Sequence, residues 1–150
     1  MRESLFSMLT SRGVIEGAQV LDLFAGTGAL GLEALSRGAA HAVFVENGRV
    51  GQRLIADNIA KLQAQDATQV MRGDATRVGP WPGAPFDLVF LDPPYDKGLG
   101  ERALDAVRDW LAPGALVVWE ESAFMAPPDG FAPVDQRKFG TSHITLIERT

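Results

Sequence analysis

The stretch Val20-Leu21-Asp22-Leu23-Phe24-Ala25-Gly26-Thr27-Gly28-Ala29-Leu30-Gly31 decides the fold of this 150-residue chain. Val20 to Phe24 is apolar apart from Asp22, as a strand covered on both faces must be. Gly26, Gly28 and Gly31 match G-x-G-x-x-G, and Ala29 to Arg37 then reads as a helix ended by Gly38. Strand, glycine turn and helix in that order open a doubly wound α/β fold.

The flanking sequence repeats the alternation. Ahead of the stretch, Arg2 to Leu9 reads as a helix with Leu5, Met8 and Leu9 on one face, stopped by Gly13. After it come a strand at Ala42 to Glu46 and a helix at Arg49 to Leu62. In that helix Val50, Leu54, Ile55, Ile59 and Leu62 form the apolar face. Thr68 to Met71 is a short strand, Gly79 to Pro85 a Pro/Gly loop, and Phe86 to Leu91 a strand. Glu101 to Leu111 is a helix and Ala115 to Trp119 a strand. Beyond a loop at 126–133, Pro133 to Phe139 and His143 to Glu148 form an antiparallel hairpin through Gly140-Thr141-Ser142. The expectation is one domain over residues 1–150, with a mostly parallel sheet covered on both faces.

Composition removes several function classes. The chain has no cysteine, so disulfides, thiolate zinc sites and cysteine nucleophiles are excluded. Methylation of a pyrimidine ring carbon through a cysteine adduct goes with them. His41 and His143 stand far apart in different contexts and read as structural, so no metal site is expected. The apolar runs are shorter than a membrane span, which points to a cytoplasmic protein. A net charge of -5 argues against a large nucleic-acid footprint, because phosphate binding is carried by basic residues.

Ligands of such folds bind outside the C-terminal strand ends. Glu46 stands 18 positions after Gly28, where an acid accepts hydrogen bonds from ribose hydroxyls. The pattern predicts an adenosine-containing cofactor at Gly26, Gly28 and Glu46. Asp22 discriminates among such cofactors. A carboxylate there would repel the pyrophosphate of a dinucleotide. It would attract the ammonium and sulfonium of S-adenosylmethionine, by about 1–4 kcal/mol at roughly 4 Å. Its alternative role is to cap the turn or the following helix. Asp74 and Ala75, after the third strand, offer a carboxylate for an adenine amine and a backbone N–H for a ring nitrogen.

The fourth strand ends in Asp92-Pro93-Pro94-Tyr95. Two prolines hold Asp92 and Pro93 extended, which leaves the Asp92 carboxylate and the Pro93 carbonyl as fixed acceptors. An exocyclic amine has two N–H donors to match them. Pro94 and Tyr95 complete a base-binding element, with the Tyr95 ring as a stacking face. The expected chemistry is methyl transfer to the amino group of a nucleobase.

These motifs, in this order, resemble the amino-methylating class I methyltransferases. Within that group the chain is similar to the small-subunit ribosomal RNA guanine-N2 methyltransferase family, RsmD-like. Arg2-Glu3-Ser4-Leu5-Phe6-Ser7-Met8-Leu9, the segment from Asp22 to Ala39, Leu91 to Tyr95, and Arg137-Lys138-Phe139-Gly140 carry the likeness. The resemblance implies cofactor contacts at Asp22, Gly26, Gly28, Glu46 and Asp74, and a target base held by Asp92, Pro93 and Tyr95. It implies ribosomal RNA or an assembling ribosomal particle as partner, with a monomer expected. It also implies a basic segment ahead of the Arg2-Glu3 helix. The chain starts inside that region, so weak binding to naked RNA is expected. Two other readings stay open: a DNA amino-methyltransferase acting on adenine or cytosine, and a non-catalytic RNA-binding or assembly module. A nicotinamide oxidoreductase shares the glycine turn but leaves Asp92 to Tyr95 without a purpose.

Overall fold

A computed structural model describes residues 2–150. Seven strands form one sheet: β1 (Gln19–Leu23), β2 (His41–Glu46), β3 (Thr68–Arg72), β4 (Phe86–Leu91), β5 (Leu111–Glu121), β6 (Phe131–Phe139) and β7 (Ser142–Arg149). Their order across the sheet is β3-β2-β1-β4-β5-β7-β6. The first five run parallel, and β7 pairs antiparallel with both β5 and β6. The fold is thus a doubly wound parallel sheet with an antiparallel C-terminal hairpin, as the sequence predicts.

Four helices cover the sheet: α1 (Arg2–Ser11), α2 (Ala29–Ser36), α3 (Arg49–Lys61) and α4 (Leu99–Val107). One face buries Leu5, Phe6 and Leu9 of α1, Leu32 and Ala34 of α2, and Ile55 and Ile59 of α3 against Phe44, Leu88 and Phe90. The other buries Ala103, Leu104 and Val107 of α4, with Trp110 and Trp119, against Leu21, Leu23 and Val89. The loop from Asp74 to Pro85 adds Ala75, Val78 and Trp81 to that second layer, where a crossover helix would otherwise lie.

Four sequence expectations are corrected. The α1 face is completed by Phe6, which packs on Phe90 with ring centroids 5.5 Å apart, while Met8 is only half-buried. In α3 only Ile55 and Ile59 are buried, and Val50 and Leu62 are 63% and 60% exposed. At about 100° per residue, Val50 and Leu54 lie on the helix flank, away from the Ile55 face. Leu62 falls past the end of the helix. Leu111 begins β5 rather than ending a helix: α4 stops at Val107 and a single 3-10 turn, Arg108–Trp110, leads into the strand. Pro113 sits where the β4–β5 register shifts, and an irregular site tolerates its missing N–H. Finally, β1 ends at Leu23, and Phe24 turns out of it with φ 56°.

The sheet order reverses direction between β1 and β4, so the C-terminal ends of these two strands flank the switch point. Asp22, Phe24 and the glycine turn meet the Asp92 loop there.

Candidate active site

The glycine turn is built for tight curvature. Gly26 and Gly28 have φ of 60° and 78°, a region that residues with a Cβ rarely enter. Gly28 N donates to Ala25 O at 2.9 Å, Asn58 Nδ2 holds Thr27 O at 3.0 Å, and α2 starts directly after. Gly31 serves a different need. A Cβ there would lie 2.5 Å from Phe44 Cε1, so its absence lets α2 press onto β2.

Asp22 lies inside this packing, with only 1% of its surface exposed. Its Oδ2 accepts the Gly31 N–H at 3.0 Å, in the first turn of α2. Burial pushes its pKa up to about 8, against the opposing effect of that hydrogen bond, with the charges of Asp92 and Glu46 adding to the rise. The geometry therefore favours the capping role for Asp22. An exposed charge facing a bound cation is not what the fold presents, because no appreciable part of the carboxyl reaches solvent.

Glu46 ends β2 and ties two loops together. Its Oε1 accepts from Gly26 N at 2.8 Å and its Oε2 from Gly48 N at 2.9 Å. Gly51, which the sequence reading did not single out, makes room for it: a Cβ at Gly51 would stand 2.9 Å from Glu46 Cδ. At the end of β3, Asp74 Oδ1 accepts from Thr76 N at 2.9 Å and from Thr76 Oγ at 2.7 Å. These two bonds hold the Asp74 carboxyl below the usual carboxylate range. Ala75 is buried, so it can offer a ligand only its backbone.

Between these acids lies a cavity of 270 Å³ lined by Phe24, Val45, Glu46, Asn47, Gly73, Asp74, Ala75, Pro94 and Leu99. Phe24, Val45, Pro94 and Leu99 give it apolar walls, Glu46 and Asp74 bring carboxylates, and no Lys or Arg lines it. Those acceptors suit a nucleoside, whose ribose hydroxyls and base amino group donate. They do not suit a phosphate. Phe24 contributes its wall from a left-handed backbone conformation, a strain of about 1–3 kcal/mol for a bulky residue. Strain of this kind concentrates where a side chain must be held at a site.

Pro94 joins this cavity to the second half of the site. Pro93 is buried, whereas Asp92, Pro94 and Tyr95 face outward. Asp92 opens to solvent on one side and is walled by protein on the others. That enclosure, with the charges of Glu120 and Glu121, pushes its pKa up to about 6. Tyr95 is 45% exposed, and its hydroxyl donates to Glu120 Oε2 at 3.0 Å. Burial of the phenol oxygen and this bond push the Tyr95 pKa up to about 12. Ser142 Oγ donates to the same Glu120 oxygen at 2.9 Å, and Ser122 Oγ to Asp96 Oδ1 at 2.8 Å. Glu121 is buried and accepts from Trp119 Nε1 at 3.1 Å.

Sequence reasoning placed Glu46, Asp74, Ala75, Asp92, Pro93, Pro94 and Tyr95 around one cleft, and the structure brings them to one end of the sheet. It missed Glu120, Ser122 and Ser142, which anchor the loop from the far side. Glu120-Glu121-Ser122 directly after an apolar strand was the available signal, since strand ends on this side carry the site.

Comparison with known proteins decides the family. The "Conserved hypothetical protein 95" family matches residues 1–148. The chain belongs to this family. The ribosomal RNA small subunit methyltransferase D of Escherichia coli is 43% identical over 122 residues, covering 80% of this chain and 60% of that protein. The Haemophilus influenzae protein of the same name is 34% identical over 125 residues, covering 80% of this chain and 64% of its own length. The chain thus spans about three fifths of these curated relatives. The solved structure of "Putative methyltransferase yhhF" from Escherichia coli superposes with a TM-score of 0.86 at 37% identity, covering 99% of this chain and 83% of that one. This chain therefore has the Rossmann-like methyltransferase fold, with an antiparallel hairpin at the C-terminal edge of the sheet.

Proposed function

We propose that this chain methylates the exocyclic amino group of a base in RNA, the guanine N2 of small-subunit ribosomal RNA, using S-adenosylmethionine. The observation that carries this reading is the position of Pro94. It is a wall of the nucleoside cavity and part of the Asp92–Tyr95 motif, so the two ligand sites share a boundary. The named relatives support the choice of ribosomal RNA, and their methyltransferase names support a methyl-donor cofactor.

The cavity fits the cofactor's nucleoside. Glu46 would hold the ribose hydroxyls, Asp74 the adenine amine and the Ala75 backbone a ring nitrogen, between the apolar faces of Phe24, Val45 and Leu99. Gly26 and Gly28 bring the backbone close, and Asp22 fixes the turn by capping α2. When bound, S-adenosylmethionine supplies a methyl group already activated on a sulfonium. The protein's task is then chiefly orientation. Asp92 and the Pro93 carbonyl hold the two N–H groups of the amine and aim its lone pair. Tyr95 stacks on the base, which must be unpaired or flipped out to reach it. The amine gives up one proton as it gains the methyl, and Asp92 is the acceptor placed to take it.

The partner would be ribosomal RNA or an assembling ribosomal particle, met by a monomer in the cytoplasm. The test is transfer of tritiated methyl to small-subunit RNA, to small-subunit particles and to DNA, with the product base identified. Labelled N2-methylguanine in the RNA supports the proposal. Label in adenine or cytosine of DNA, or no transfer despite cofactor binding, overturns it.

A further inference from the structure

We infer that Glu120 is a positioning residue for the target base, acting by holding the Tyr95 ring in place through its hydroxyl. This inference rests on the proposed function. Tyr95 lies in the loop from Asp92 to Gly98, which has no helix or strand until α4 begins at Leu99. Its ring is 45% exposed, so packing alone does not fix its plane. The bond that does is Tyr95 Oη to Glu120 Oε2 at 3.0 Å. A hydroxyl donating to a carboxylate is roughly twice as strong as a neutral pair.

Glu120 is itself held. Ser142 Oγ, at the start of β7, donates to the same oxygen at 2.9 Å. Among the described residues Glu120 forms no ion pair, so Tyr95 shares that oxygen with Ser142 and not with a cation. The Ser122–Asp96 bond ties the same loop to the residue that follows β5. The loop that carries the stacking face is therefore set by β5 and β7, outside the strand that bears the motif. Glu120 does not line the cofactor cavity.

Tyr95 is the single tyrosine of the chain, which gives a direct readout. Protein labelled with 13Cζ-tyrosine will show one phenol resonance. In the wild type it will titrate near the value of about 12 that burial, Glu120, Asp92 and Glu121 impose. In Glu120→Ala it will titrate closer to an ordinary phenol. Methyl transfer should follow the same tether. Glu120→Ala and Tyr95→Phe should each lower kcat/KM by about 10-fold or more, the scale of one hydrogen bond to a charged group. The double variant should be no worse than either single one, and cofactor affinity should be unchanged in all three. Glu120→Gln, which keeps an acceptor oxygen, should recover most of the loss. An unmoved Tyr95 titration in Glu120→Ala, or a double variant whose loss is the product of the two single losses, would overturn the inference while leaving the function intact. A wild-type protein that transfers no methyl to any RNA would instead overturn the function on which it rests.

Discussion

Asp22 and Asp92 are both carboxyls whose acidity burial weakens, yet they answer to pH in different ways. Asp22 takes part in folding. Its native pKa of about 8 stands above its ordinary value of 3.8, so the folded chain binds a proton that the unfolded chain releases between about pH 4 and 8. Stability from this group is fully present below pH 4 and is lost as pH rises to 8. Asp22→Asn keeps an oxygen for Gly31 N and cannot ionise. Urea midpoints at pH 5, 7 and 9 should therefore fall less steeply in the variant than in the wild type. Equal slopes would mean that Asp22 does not titrate across this window. In the proposed reaction Asp92 acts on substrate. Protonation near pH 6 removes the base that would take the amine's proton, so methyl transfer should rise through pH 6 to a plateau. Asp92→Ala should lower the rate by about 100-fold while cofactor binding is retained. Wild-type turnover in that variant would exclude Asp92 from the chemistry.

Among the elements, the turns at the strand ends were the most legible in sequence, because their requirements are local. Prolines 93 and 94 fix their own backbone, glycines 26 and 28 permit a turn that other residues rarely adopt, and Gly31 leaves room for close packing. The α3 face was less legible: an apolar residue on a helix flank resembles one on the buried stripe until the helix axis is known. The anchoring of Tyr95 was not legible at all. Glu120 lies 25 residues from Tyr95, and only the pairing of β4 with β5 brings them together. Gly51 is a similar case, since its use depends on where Glu46 points. The structure makes both glycine requirements testable. Gly31→Ala forces a Cβ into Phe44 at 2.5 Å and should destabilise the fold by about 1–3 kcal/mol, measured by urea unfolding. Gly51→Ala meets only the flexible Glu46 side chain, at 2.9 Å, and gains helix propensity of about 1 kcal/mol. It should keep its stability and lose roughly 10-fold in cofactor affinity by calorimetry, as Glu46 is pushed off its bonds to Gly26 and Gly48. Unchanged affinity would remove Glu46 from the cofactor site.

Across the whole molecule, the proposed cofactor cavity draws on the end of β2, the segments that follow β1, β3 and β4, and the start of α4, so a ligand bound there bridges several parts of the fold. S-adenosylmethionine or its demethylated product should raise the melting temperature, by an amount that grows with concentration. NAD should not, because no cation lines the cavity to receive its phosphates. A rise with NAD alone would reassign the site. The strand order carries one more consequence, for synthesis on the ribosome. β6 precedes β7 in the chain, yet β7 lies between β5 and β6 in space. A nascent chain that has emerged only as far as Phe139 holds β5 with an open edge and β6 with no partner, and an open edge invites pairing with other chains. Vectorial synthesis thus leaves the sheet incomplete until residues 142–149 clear the exit tunnel. Chains stalled or cleaved within the Gly140-Thr141 turn should be the ones that aggregate or are degraded.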